Sequence, residues 1–195
     1  RDPPAQPVVD DRLQDRVHRC RHEDDAAGPS GELLWSLGPD GTLPLTEGTF
    51  SYHLHAPELQ GDGSLLIYDN GNGRPGGVDF SRAVRYDLDL AGNDPDRWSA
   101  RQVWEHVVDD GDGEPVYADF LGDADRQPGG NVLIDHGGIG RGDGPPRARI
   151  IEVVPEGASG GPIVFDLRLT EPWVSYRAER FPSFYVGPRW RAPGA

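Results

Sequence analysis

Three side chains stand out for the chemistry they could carry: His55, Arg74 and His136. In Tyr52-His53-Leu54-His55-Ala56-Pro57-Glu58-Leu59, an extended backbone would turn His53 and His55 to one face and Leu54 to the other. Two imidazoles on one face can meet a ligand; the plainer reading is a pair of surface histidines. Arg74 closes the turn Asp69-Asn70-Gly71-Asn72-Gly73-Arg74, where its planar guanidinium fork matches the oxygens of a sulfate or phosphate. The alternative is a loop arginine paired with Asp69. His136 follows Leu133-Ile134-Asp135 and is expected at a strand end, as a site residue or as a turn histidine capping the strand.

Two other clusters carry less. Asp109-Asp110-Gly111-Asp112-Gly113-Glu114 has the acidic spacing of a calcium loop without the length and final Glu register of an EF-hand, so it reads as a solvated turn between repeats. Val17-His18-Arg19-Cys20-Arg21-His22 falls short of the ligands a zinc site needs. No cofactor and no metal are expected.

The elements that must position these residues come from a repeat. Shifted by 67 positions, Ser64-Leu65-Leu66-Ile67-Tyr68-Asp69-Asn70-Gly71 falls on Asn131-Val132-Leu133-Ile134-Asp135-His136-Gly137-Gly138, and Arg82-Ala83-Val84-Arg85-Tyr86 falls on Arg149-Ile150-Ile151-Glu152-Val153. The turn Gly61-Asp62-Gly63 falls on Pro128-Gly129-Gly130 by the same offset. Further on the register drifts, and Gln102-Val103-Trp104-Glu105 corresponds to Ile163-Val164-Phe165-Asp166, with Leu33-Leu34-Trp35-Ser36 similar to both. Each unit holds four short strands, and a turn precedes each strand. This all-β pattern predicts β-propeller blades, four-stranded antiparallel sheets, over a β-sandwich with chance similarity.

The expected units are residues 50–116 and 117–183, with 1–49 an irregular segment and the end of a preceding blade, and 184–195 the start of another. Leu65, Ile67, Val132 and Ile134 should lie in cores between sheets. Propellers close with roughly four to eight blades, so the chain is expected to be a fragment of one. The absence of Met and of an initiating segment points the same way.

Composition narrows the function. The 27 Gly and 19 Pro of 195 residues punctuate short β runs, and a net charge of −14 argues against nucleic-acid or anionic-membrane partners, which require a basic footprint. One cysteine allows no disulfide within the chain, and no run approaches the roughly 20 apolar residues of a membrane span.

The run His55-Ala56-Pro57-Glu58, then Gly63 through Arg74, then Ser81-Arg82-Ala83-Val84-Arg85-Tyr86, then Gln102-Val103-Trp104-Glu105, resembles the bacterial arylsulfate sulfotransferases. A weaker match, through Gly130-Asn131-Val132-Leu133 and Tyr176 to Ser183, extends the resemblance over about Leu33 to Tyr185. It implies a six-bladed propeller, periplasmic or extracellular, that moves a sulfuryl group from a phenolic sulfate donor to a phenol acceptor. A channel histidine carries the group as sulfohistidine, and by order along the chain His136 matches it, with His55 and Arg74 as the partners that face the sulfuryl oxygens. The family also uses a histidine from an earlier blade and a polar residue from a later one, which have no counterpart in this chain. The alternative is a non-catalytic propeller that binds a ligand or a protein.

Overall fold

The computed structural model describes residues 25–27, 33–91, 94–111, 113–140 and 144–181. His18, Cys20 and His22 lie outside them, as does the stretch 184–195. The described chain is all-β, broken only by a short 3-10 turn at Pro95–Arg97.

Among the described residues eleven strands make three antiparallel sheets. β1 (Asp25–Ala27) pairs with β2 (Leu33–Ser36). The first large sheet runs β3 (Leu54–Leu59), β4 (Leu65–Asp69), β5 (Arg82–Asp89), β6 (Ser99–His106), each strand beside its sequence neighbour. The second runs β11 (Ile163–Leu169), β10 (Arg147–Val153), β9 (Val132–Ile139), with β7 (Ala118–Phe120) and β8 (Asp123–Arg126) both paired to β9.

The 67-residue offset reappears in the hydrogen-bonded register. Leu65, Ile67 and Asp69 stand opposite Tyr86, Val84 and Arg82. Their equivalents Val132, Ile134 and His136 stand opposite Val153, Ile151 and Arg149.

Strand β4 is buried along its whole length because both faces of its sheet are covered. Successive side chains alternate between faces. Leu65 and Ile67 pack with Val84, Tyr86, Trp98, Trp35, Leu37 and Leu43 on one side. Leu66 and Tyr68 pack with Ala83 and Trp104 on the other, against Ala118, Ala124, Val132, Ile134, Ile151 and Val153 of the second sheet. All four expected core residues therefore lie in inter-sheet cores. Burying a side chain of this size stabilises by roughly 1.5–3 kcal/mol.

The second unit departs from the four-strand expectation. A turn was expected from His136 onward, yet β9 continues through Gly137 and Gly138 to Ile139. Both glycines are needed there by close approach: a Cβ on Gly137 would stand 2.2 Å from the Ser175 carbonyl oxygen, and one on Gly138 2.7 Å from the Phe120 ring. The prolonged strand gives β7 a place to pair, so this sheet has five strands. His136 lies inside β9 and is not at its end.

Candidate functional site

His136 sits on the face of β9 that also carries Val132 and Ile134, and so points into the core between the two large sheets. Tyr68 enters that core from β4, and its hydroxyl lies 2.9 Å from His136 Nδ1. Both side chains are fully buried, with the rings edge to face at 5.5 Å between centroids. Gly122 makes room for the phenol, since a Cβ there would come within 2.2 Å of the Tyr68 ring. His136 Nε2 is buried and has no hydrogen-bond partner.

Burial, reinforced by His106 and Arg149 nearby, pushes the His136 imidazole down to about 3, so the ring is neutral at ordinary pH. Burial lifts the Tyr68 phenol far above the usual tyrosine range, so it stays protonated. His106, on the same core-facing side of β6, is lowered by burial too. With its proton on Nδ1, donated to the Tyr68 hydroxyl, such a neutral imidazole keeps an unengaged lone pair on Nε2 and is a competent nucleophile.

His55 opens from β3, directly across from Tyr68 on β4. It is half-buried, its Nδ1 lies 2.6 Å from Asn70 Oδ1, and its ring centroid is 5.9 Å from that of exposed His53. Asn70 in turn reaches the second sheet, donating from Nδ2 to the carbonyls of Ala118 and Leu121 at 2.7 and 2.8 Å. Three non-glycine residues with left-handed backbone gather here: His53 (φ 57°), Ala56 (φ 48°) and Leu121 (φ 61°). Such strain costs of order 1–3 kcal/mol per residue and persists only where the surroundings enforce it. His55 and His136 thus flank Tyr68 in one corner of the inter-sheet core.

Arg74 is not brought to them. Its Nη2 lies 2.7 Å from Asp69 Oδ2, which also accepts from Arg82 Nε at 2.8 Å. Asp69 follows Tyr68 on β4 and faces the opposite side of the sheet, among Ile67, Val84 and the segment at Thr49 and Phe50 that Arg82 contacts. The guanidinium stacks on Phe80 at 4.2 Å. Asp69, the alternative partner, holds the guanidinium at Nη2, while Nε is buried without a hydrogen-bond partner.

The acidic loop closes through a bridge between Asp109 and Pro115, with Asp112 outside the described residues. Asp110 is ion-paired to Arg147. Among the described residues no group of three or more His, Cys, Asp or Glu side chains could hold a metal ion.

Sequence reasoning passed over Tyr68, Asn70, His106 and Arg149. Alternation along Leu65–Asp69 does carry a signal for Tyr68, because it sets that residue opposite in facing to Asp69. The offset also links Arg149 to Arg82. A cleft of about 600 Å³ opens beside this corner, lined by Val78, Asp79, Tyr117, Asp119 and Phe120, but neither His55 nor His136 lines it.

A family model described as arylsulfotransferase (ASST) matches residues 24–177. No curated protein matches the chain.

Proposed function

The chain belongs to the arylsulfotransferase (ASST) family, and on that premise we propose that His136 is the nucleophile that carries a sulfuryl group from a phenolic sulfate ester to a phenol. The observation that carries this reading is the state of His136: buried, neutral, held at Nδ1 by Tyr68 and unengaged at Nε2. In the first half-reaction the Nε2 lone pair attacks sulfur and the sulfur–oxygen bond to the aryl group breaks. The departing phenolate takes a proton from the His55 imidazolium. In the second half, the acceptor phenol gives its proton to neutral His55 and attacks sulfur, and the nitrogen–sulfur pair returns to Nε2. Splitting one displacement into two lowers each barrier, and a positioned acid–base contributes about 10²–10⁴-fold. Because Nε2 is enclosed, substrate reaches it only when the surrounding side chains move.

Arg74 enters the reading from the other face of β4, as charge that steadies Asp69 and the turn before β5. The same reading makes the two large sheets successive propeller blades, residues 50–116 and 117–183. It is supported by the shared register and by the way the Leu66 and Tyr68 face of the first sheet packs on the Val132 and Ile134 face of the second, which is the repeat counterpart of the first sheet's other face. It sets the protein in the periplasm or outside the cell; among the described residues no helix is long and apolar enough to cross a membrane.

The test is transfer from a chromogenic aryl sulfate to phenol, together with retention of a labelled sulfuryl group on the protein. His136→Asn is expected to abolish both. Full turnover in that variant overturns the nucleophile assignment.

A further inference from the structure

Asn70 is fully buried, and all three of its amide contacts are to groups of fixed or deducible chemistry. The Ala118 and Leu121 carbonyl oxygens can only accept, so the nitrogen of the Asn70 amide must face them. Its oxygen is thereby turned to His55 Nδ1, at 2.6 Å. An amide oxygen only accepts, so Nδ1 of His55 must carry a proton. The choice of amide rotamer and histidine tautomer, elsewhere a matter of assignment, is settled here by two backbone carbonyls.

We propose that Asn70 is a positioning residue: it locks neutral His55 as the Nδ1–H tautomer and so presents the Nε2 lone pair to the substrate phenol. Among the described residues no protein group engages that Nε2. The role of Nε2 in proton transfer rests on the sulfotransferase reading above; the tautomer does not. In the acceptor half-reaction the phenol O–H proton passes to Nε2 and gives an imidazolium with Nδ1–H still held by Asn70. In the donor half the same Nε2–H returns the proton to the leaving phenolate. A ring free to turn or to carry its proton on Nε2 would face the phenol with a donor where an acceptor is needed.

The lock is built into the fold. Asn70 continues β4 past Asp69, its backbone carbonyl accepts from the Ser81 hydroxyl at 2.9 Å, and its side chain ties that strand end to the β7–β8 crossing at Leu121, where the backbone is left-handed. Any shift of β7–β8 against β4 therefore moves the atom that sets the His55 proton.

Nuclear magnetic resonance of the full chain with isotope-labelled histidine reads the tautomer directly, with the His55 signals identified by their loss in His55→Gln. In its neutral ring the wild type is expected to show Nδ1 protonated and Nε2 bare. Asn70→Ala is expected to mix the two tautomers and to lower kcat by roughly 10²-fold with KM little changed. Nε2–H in the wild type overturns the proposal without any variant having to fold, as does Asn70→Ala with tautomer and kcat both unchanged. A wild-type chain with the Nδ1–H ring but no sulfuryl transfer overturns the sulfotransferase reading and upholds the tautomer lock.

Discussion

Asp69 and His136 occupy the same position of the 67-residue repeat, each directly across a strand pair from an arginine, Arg82 and Arg149. In the first sheet the position holds a carboxylate bonded to two guanidinium groups. In the second it holds a neutral imidazole, and Arg149 turns instead to Asp166 and to the Asp109 carbonyl. The repeat thus places a structural ion pair and the candidate nucleophile in equivalent surroundings. What differs is the partner across the core, which for His136 is Tyr68.

The depressed His136 titration makes folding sensitive to acid. The folded ring binds a proton only near pH 3, whereas the unfolded ring binds one from about 6.5 downward. The stabilising difference is present above 6.5 and is lost as pH falls toward 3. Between pH 7.5 and 5 the wild type is expected to lose about 2 kcal/mol more stability than His136→Asn, at 1.36 kcal/mol per unit. Urea denaturation at the two pH values measures it; equal losses would mean that His136 titrates normally in the fold.

Gly122→Ala is expected to destabilise the chain by about 1–3 kcal/mol and to lower transfer. Its backbone has φ 123°, and the new methyl would meet the Tyr68 ring at 2.2 Å. Displacing the phenol frees His136 Nδ1, so activity should fall further than thermal stability alone explains. A variant with wild-type melting temperature and turnover would show that the Tyr68 contact is slack.

Arg74→Lys keeps the charge and loses the fork and the flat stacking on Phe80. With Asp69 as the main partner, the expected result is a stability loss of about 1–2 kcal/mol and a change in transfer rate of less than about tenfold. A loss of about 10²–10³-fold at unchanged stability would instead assign Arg74 to the sulfuryl oxygens. Chemical denaturation and steady-state kinetics on one preparation separate the two.

The sheets were legible because repeat and alternation act together: Leu65, Ile67, Val132 and Ile134 declare both the register and the buried face. The extension of β9 was not, since Gly137 and Gly138 read as a turn unless one knows that Ser175 and Phe120 crowd that backbone. His136 was found by its place in the chain, while its environment was hidden. Nothing local to Asp135-His136-Gly137 foretells that a tyrosine 68 residues away will reach its Nδ1. For Arg74 the composition of its turn offered both an oxyanion and Asp69, and only the opposite facing of neighbours on β4 decides between them.

Strand β9 is hydrogen-bonded to β7, β8 and β10 and buried from end to end. Amide protons on such a strand are released to solvent only when the cooperative unit opens as a whole, so Val132–Ile139 should be among the slowest in the molecule to exchange with deuterium. On that expectation the candidate nucleophile is mounted on one of the least labile stretches of the described backbone, and the motion that admits substrate has to come from the neighbours of β9 while the strand itself stays closed.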